Sequence, residues 1–180
     1  MTTKDIVYIA LFASIIAALG VVPPISLALY PVPITSQSLG VMISGSILGS
    51  KRGALSCILF LIIVVVGFPI LAGGRGGIGV ILGPSGGFLL CWPITAYVIG
   101  LLFEKNWQKL NNIRAFIYII FGGIIVLYTI GILWLNILYG IDMDKGLYGS
   151  IIFIFGDIIK AIIATTVSMI IKKSYPLIKG

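Results

Sequence analysis

The sequence contains no histidine and very little charge. Only 9% of its 180 residues are Asp, Glu, Lys or Arg, whereas a soluble domain typically has about 25%. Without an imidazole, zinc-protease motifs and nucleophiles that use histidine as a base are excluded. Five scattered carboxylates do not form a cage for a hard metal ion. The composition therefore argues against a soluble protein and against an enzyme, and we expect no cofactor.

Cysteine pairs and nucleotide-binding motifs are missing as well. Cys57 and Cys91 lie alone in apolar runs without a CxxC pattern, which indicates buried, inert thiols. Residues 74–79 match the letters GxGxxG, but a dinucleotide fingerprint also needs a preceding strand, a βαβ unit and an acidic residue about 20 positions later. The sequence has no P-loop motif, so we do not expect this chain itself to bind ATP.

Long apolar runs dominate the sequence, of which 59% is hydrophobic. A helix needs about 20 apolar residues, with about 17 to 25 tolerated, to cross a bilayer core about 30 Å thick. Six runs approach this length: Ile6–Val22, Ile34–Gly49, Ala54–Leu71, Phe88–Phe103, Ala115–Leu138 and Gly149–Ile171. We therefore predict an all-α integral membrane protein in which residues 1–180 form one bundle of six transmembrane helices. A signal peptide is the alternative for the first run, but its length and single Lys4 argue against it.

The cations predict the orientation of this bundle. With six spans, most of them fall on one side: Lys4, Lys51, Arg52, Lys105, Lys109, Arg114, Lys172, Lys173 and Lys179. Arg75 and Lys145 lie on the other side, and Lys160 lies within a span. Because Lys and Arg are enriched in cytoplasmic loops, we expect both termini in the cytoplasm and a multi-pass location in the plasma membrane. The cations form no continuous stripe, so we expect membrane lipid and no nucleic acid as a partner.

Two predicted outer connections have unusual compositions. Residues 22–33 contain four prolines and no charge, which favours an ordered, extended segment. Residues 67–87 are rich in glycine, which allows the backbone to approach a ligand or a neighbouring helix closely. A flexible linker is the alternative for this second segment, but a lone Arg75 among isoleucine, valine and leucine is unusual in a linker.

Small residues predict close helix contacts. The second span contains Gly45-x-x-x-Gly49, and the first span contains Ala10 and Ser14 among several alanines. Such faces allow helices to approach closely. Packing within the bundle and contact with another membrane subunit are both consistent with this composition.

Asp157 and Lys160 are the charged side chains that lie well inside a predicted span. Each would cost about 2.5 to 3.5 kcal/mol if it faced lipid. Their spacing of three residues places them on one helical face. They either form an ion pair that holds the bundle together or provide the polar part of a ligand cavity. The polar turn of Thr35, Ser36, Gln37 and Ser38, which opens the second span, is a candidate wall of the same site.

The chemistry of this pair suits a neutral ligand with adjacent donors and an acceptor. An ionised Asp157 only accepts hydrogen bonds and Lys160 only donates them, so a cyclic urea would satisfy both without adding net charge. Arg75 would then bind a carboxylate at the other end of the same molecule. A zwitterionic amino acid or a peptide would also satisfy these residues.

Five stretches of the sequence resemble those of a known family. The matching stretches are PVPITSQ at residues 31–37, LGSKRGA at 48–54, AGGRGGIG at 72–79, GPSGG at 83–87 and GDIIK at 156–160. In this order and spacing they are similar to the BioY family, the biotin-specific S components of energy-coupling factor (ECF) vitamin transporters. The resemblance implies a six-helix membrane fold that binds one biotin near the outer surface, covered by the first and third connections.

The resemblance also implies roles for individual residues. Asp157 and Lys160 would meet the ureido ring, and Arg75 with its neighbour Gly74 would approach the valerate carboxylate. Gln37 and Thr35 are secondary candidates. Phe88, Trp92 and Trp134 are candidates for packing on the bicyclic ring, although core packing is the commoner role of such aromatic residues.

Partners follow from the same resemblance. They are a transmembrane coupling subunit and two ATPases, with Ala10 and Ser14 on the docking surface and biotin as the transported ligand. Two alternatives stay open. One is a stand-alone, proton-coupled or facilitative carrier that uses Asp157 as a relay, and the other is a structural subunit in which Asp157 and Lys160 are only an ion pair.

Overall fold

The described part of the chain is helical apart from loops and one small pair of strands. A computed structural model describes residues 1–27 and 30–178, so Lys179, one of the cations assigned above to the cytoplasmic side, lies outside the described residues. The elements are α1 Thr3–Leu19, β1 Ile25–Leu27, β2 Tyr30–Ile34, α2 Gln37–Leu48, α3 Ser50–Val66, α4 Ile78–Leu82, α5 Gly86–Lys105, α6 Asn112–Ile120, α7 Leu127–Tyr139 and α8 Met143–Ser174.

Among the described residues, three helical stretches are long and apolar enough to cross a membrane. They are Gly86–Lys105, Asn112–Tyr139 and Met143–Ser174, and they correspond to the last three predicted spans. The middle stretch joins α6 and α7 through a π-helical segment, Phe121–Val126. By contrast, α1 and α3 have 17 residues each, which is at the lower limit of about 17 for a span, and α2 has 12, which is below it. The helical class is confirmed for the described residues, while the count of six spans and the orientation of the termini stay predictions.

Some helix boundaries differ from the apolar runs. The third run extends to Leu71, but α3 ends at Val66 because Gly67 adopts a left-handed conformation with φ of +114° and its N–H bonds back to Ile63 and Val64. In the other direction, α8 begins before the predicted Gly149, since its first turn contains Asp144 and Lys145, which a count of apolar residues leaves out.

The central element of the bundle is α2. Nearly all of its residues are buried, and it contacts α1, α3, α5 and α8. Small residues make this possible: Gly45 lies directly against the backbone of Ala96 in α5, and Gly53 of α3 lies against Gly45. The glycine pattern of the second span therefore serves packing within the chain.

Backbone hydrogen bonds pair two strands in the first connection and form a turn in the third. In the first connection, β1 and β2 pair antiparallel, with Ile25 opposite Ile34; we predicted an extended segment here but not the strand pairing. In the third connection, Leu71 and Arg75 bond to each other through both backbone groups at 3.0 and 3.2 Å. The turn between them requires positive φ values at Gly73 and Gly74, +81° and +68°. This hydrogen-bonded turn favours the ordered loop over the flexible linker.

Gly45→Ala is expected to destabilise the fold by about 1 to 3 kcal/mol, the usual cost of overpacking. The added methyl group would press on the carbonyl group of Ala96 and lie 3.0 Å from its Cα. In the control Gly156→Ala, the same methyl group has no neighbouring group within 4 Å, and replacing a helical glycine is neutral or favourable. Melting temperatures in one detergent test this. Equal values for the two variants would contradict a close-packing role for Gly45.

Candidate functional site

A cavity lies between the first and third connections, the starts of α2, α5 and α7, and the middle of α8. Its walls enclose about 650 Å³ of empty space, including the part open to solvent. The lining is mostly apolar with a few polar groups, as in small-molecule sites generally. The lining residues are Val32, Pro33, Ile34, Thr35, Gln37, Ser38, Leu71, Arg75, Ser85, Phe88, Leu89, Trp92, Leu127, Tyr128, Ser150, Phe153, Asp157 and Lys160.

Asp157 and Lys160 form a buried ion pair in the wall of this cavity. Their positions one turn apart on α8 bring Nζ to 2.8 Å from Oδ1, and their side chains are only 7% and 14% exposed. The Lys160 ammonium also donates to the Thr35 carbonyl oxygen at 2.7 Å and to Ser38 Oγ at 2.9 Å. All three ammonium protons therefore have acceptors, which is what a buried cation needs.

The Asp157 carboxylate has further donors from two other helices. Tyr128 of α7 donates its hydroxyl to Oδ2 at 2.5 Å, and Ser38 of α2 donates to Oδ1 at 3.3 Å. The Tyr128 ring also packs edge-to-face on Phe88, with centroids 6.0 Å apart. Tyr128 was not among the predicted site residues, because a tyrosine inside an apolar run gives no sign of its hydroxyl partner.

Gln37 lines the cavity, but its amide is bonded to backbone. The side chain is fully buried; Nε2 donates to the carbonyl oxygens of Ile16 and Ile70, and Oε1 accepts from the Ala72 N–H, each at 3.0 Å. The neighbouring Ser36 Oγ donates to the Leu19 carbonyl oxygen at 2.6 Å. The polar turn thus attaches the start of α2 to α1 and to the third connection.

Arg75 reaches the cavity from the third connection. It is partly buried, and Nε donates to the Ala72 carbonyl oxygen at 3.2 Å. Burial lowers the pKa of its guanidinium, yet arginine keeps its charge at neutral pH. Within the described part of the chain, no carboxylate pairs with it.

The structure brings most of the predicted site residues together. Asp157, Lys160, Arg75, Gln37, Thr35 and Phe88 all line the one cavity, and Trp92 joins them. Gly74 is not among the lining residues; it forms the tight turn before Arg75. Trp134 lies outside the lining too, where its Nε1 donates to the Gly83 carbonyl oxygen at 3.1 Å. Thr35 contributes its backbone carbonyl to Lys160, and we had no sequence signal for that.

The described residues contain no cluster of His, Cys, Asp or Glu that would hold a metal ion. What the cavity offers instead is an internally neutral ion pair, a guanidinium and an aromatic wall. Membrane-spanning helices around such a cavity define a multi-pass membrane protein with a pocket for a small polar ligand.

Comparisons with known proteins identify the family. The model of the BioY family matches residues 1–177. The biotin transporter BioY of Rhizobium etli is 44% identical to this chain over 183 aligned residues, covering 99% of this chain and 98% of that protein. The probable biotin transporter BioY of Bacillus subtilis is 40% identical, covering 96% and 92%. The chain belongs to the BioY family.

A solved structure agrees with this assignment. The S component for biotin from an ECF-type ABC transporter superposes with a TM-score of 0.92 at 33% identity, covering 98% of this chain and 97% of that one. The resemblance noted from the sequence is therefore confirmed, and with it the multi-pass membrane location.

The two charges of the buried pair should be strongly coupled. We expect Asp157→Asn and Lys160→Met each to lower the free energy of unfolding by about 1 to 3 kcal/mol, because each leaves a buried partner without its counterpart. The free energy of unfolding of the double variant should fall by less than the sum of the two single losses, and the difference should be about 0.5 to 3 kcal/mol. Denaturation of the four proteins without ligand measures this coupling. Additive losses would mean that the two side chains do not stabilise each other.

Proposed function

We propose that this chain is the biotin-binding S component of an ECF-type uptake transporter, which captures extracellular biotin for ATP-driven import by partner subunits. The observation that carries the proposal is that the Asp157–Lys160 pair and Arg75 line the same cavity. Biotin has a cyclic urea at one end and a carboxylate at the other. Asp157 can accept from the urea N–H groups, and Lys160 can donate to the urea carbonyl. The guanidinium of Arg75 can bind the carboxylate. The relatives named as biotin transporters support the same ligand.

The ureido ring would bind at the ion pair by sharing its hydrogen bonds. An ionised carboxylate has about four acceptor positions, and Lys160, Ser38 and Tyr128 use three of them. A ring N–H would take the remaining capacity of Asp157. The ring carbonyl would accept from Lys160 in place of Ser38 or the Thr35 carbonyl.

The other end of biotin would lie under the third connection. Arg75 would bind the carboxylate, and Phe88 with Trp92 would pack on the apolar part of the ligand. Gln37 would act indirectly, because its amide already bonds to Ile70 and Ala72. We assign it the positioning of the segment that carries Arg75, with Gly74 providing the turn.

We further propose that residues 1–180 form one transmembrane domain with six spans and cytoplasmic termini. In this arrangement α1, α2, α3, α5, the α6–α7 stretch and α8 cross the membrane. The coupling subunit and two ATPases would be the partners, and the coupling subunit would dock on α1, where Ala10 and Ser14 are exposed while Ala13 is buried. The Ser14 hydroxyl bonds to the Ala10 carbonyl oxygen at 2.9 Å, so this face presents little unsatisfied polarity to a neighbouring helix.

The alternative of a stand-alone proton-coupled carrier has less support. Among the described lining residues, Asp157 is the only carboxylate, whereas proton relays use chains of titrating groups. Proton-driven biotin uptake by vesicles that contain this chain and no ATPase would favour that alternative. The proposed function is transport, without catalysis by this chain and with biotin as cargo.

Titration of the purified protein with biotin tests the proposal. We expect one biotin per chain, and about 30-fold weaker binding or more for Asp157→Asn or Lys160→Ala, since removing one member of a buried charge pair at a binding site costs about 2 kcal/mol or more. The matched controls are Asp142→Asn and Lys145→Ala, which break an exposed pair of the same spacing and the same 2.8 Å distance. Folding is checked by gel filtration and melting temperature. Undiminished binding by folded Asp157→Asn and Lys160→Ala would leave the pair a purely structural role.

The role of Arg75 can be separated from that of Lys160 with a ligand series. Arg75→Ala should weaken the binding of biotin far more than the binding of biotin amide or a biotin ester, because only biotin carries the charge that the guanidinium binds. Lys160→Ala should weaken the binding of all three ligands alike, since they share the ureido ring. Isothermal titration of each variant with each ligand gives the ratios. Equal losses across the series in Arg75→Ala would remove Arg75 from carboxylate binding.

A further inference from the structure

A second groove lies at the opposite end of the molecule, between α6 and α8. It holds about 890 Å³ of empty space, counted out to its open side. Its walls are Ile113 and Phe116 of α6 and Ile162, Thr165, Thr166, Met169 and Ile170 of α8, and its end is marked by Asn112 and Lys173. The hydroxyls of Thr165 and Thr166 bond to carbonyl groups of their own helix at 2.7 and 2.9 Å. The walls therefore present an essentially apolar surface.

The end of this groove is cationic. Lys173 is exposed and takes part in no ion pair among the described residues. Asn112 begins α6, so the positive end of the helix dipole adds to the same region. The carboxylate of Glu104, at this end of the bundle, is already bonded to the N–H and hydroxyl of Ser50, each at 2.7 Å.

Neighbouring residues place this end at the membrane–water interface. The Lys172 ammonium lies 5.0 Å from the centre of the Trp107 ring and donates to the carbonyl oxygens of Trp107 and Leu110 at 2.7 and 3.0 Å. Tryptophan and lysine together are typical of the headgroup region. From Lys173 the groove continues along α8 to Ile162, a distance of about 16 Å at 1.5 Å per residue. It therefore runs from headgroup level into the hydrocarbon.

We propose that this groove binds an anionic phospholipid, with the phosphate beside Lys173 and Asn112 and one acyl chain along Phe116 and Ile162. The charge at one end and the apolar length behind it match the two parts of such a lipid. A zwitterionic lipid would find the same acyl surface but less attraction at the cationic end. The site is separate from the central cavity and does not depend on its ligand.

Native mass spectrometry of the purified full chain tests this proposal. The protein is supplied with dioleoyl phosphatidylglycerol or dioleoyl phosphatidylcholine, which have the same acyl chains but an anionic and a zwitterionic headgroup, respectively. We expect phosphatidylglycerol to be retained preferentially, and Lys173→Gln to reduce its retention about fivefold, the effect of one lysine beside an anionic membrane surface. Phosphatidylcholine retention should change little in that variant.

Matched variants separate the groove from general charge attraction. Lys51→Gln removes an exposed cation at the same end of the molecule, where the adjacent Arg52 bonds to the Leu177 carbonyl oxygen, and it should leave lipid retention unchanged. Thr166→Phe fills the groove and should reduce retention of both lipids. Equal losses for Lys173→Gln and Lys51→Gln, or full retention by Thr166→Phe, would overturn the proposal.

Competition with soluble glycerol phosphate is the last control, because this molecule has the phosphate anion without the acyl chains. We expect it not to displace phosphatidylglycerol at equal concentration. Displacement would mean that the cationic end is a simple anion site and that the apolar groove does not select a lipid.

Discussion

The buried contact between Asp157 and Lys160 is the interaction on which the rest of the candidate site depends. A charge pair in an apolar interior is stable only when its remaining donors and acceptors are also satisfied. Here the partners come from different helices: Ser38 and the Thr35 carbonyl at the start of α2, and Tyr128 in α7. Satisfying the pair therefore brings α2, α7 and α8 together at one depth, and that convergence forms one wall of the cavity.

The shortness of α2 explains why there is a cavity at all. Twelve helical residues span about 18 Å, well short of a bilayer core about 30 Å thick. The polar turn at its start meets the end of α1, where Ser36 bonds to Leu19, but it lies beside the middle of the longer α8, where Lys160 donates to the Thr35 carbonyl oxygen. The space beside this turn is bounded by the first connection, through Val32 and Ile34, and by the third, through Leu71 and Arg75. Gln37 joins these parts, since its amide bonds α1 and the third connection to the start of α2.

Those features of the site that depend only on residue type and spacing in the sequence were predictable. An acid and a base three residues apart in a span must share a face, and a polar turn that opens an apolar run must face protein or a cavity. The partners of Gln37 and the hydroxyl bond of Tyr128 were not predictable, because they depend on which helices meet. The end of α3 at Val66 was missed for a local reason: Gly67 stops the helix while the apolar composition continues to Leu71.

The charges of the candidate site already have partners within the protein, and this constrains how the site can select a ligand. Hydrogen bonds from a ureido ring would largely replace those that Ser38 and the Thr35 carbonyl now make, so they add little net free energy. These hydrogen bonds do exclude ligands without matching groups, since such a ligand would displace the partners of Asp157 and Lys160 and leave polar atoms unpaired. In the proposed complex, most of the affinity would then come from apolar burial against Phe88 and Trp92 and from Arg75, whose one described side-chain hydrogen bond is to the Ala72 carbonyl oxygen. Selectivity is thus assigned to the ion pair, and affinity to the aromatic wall and Arg75.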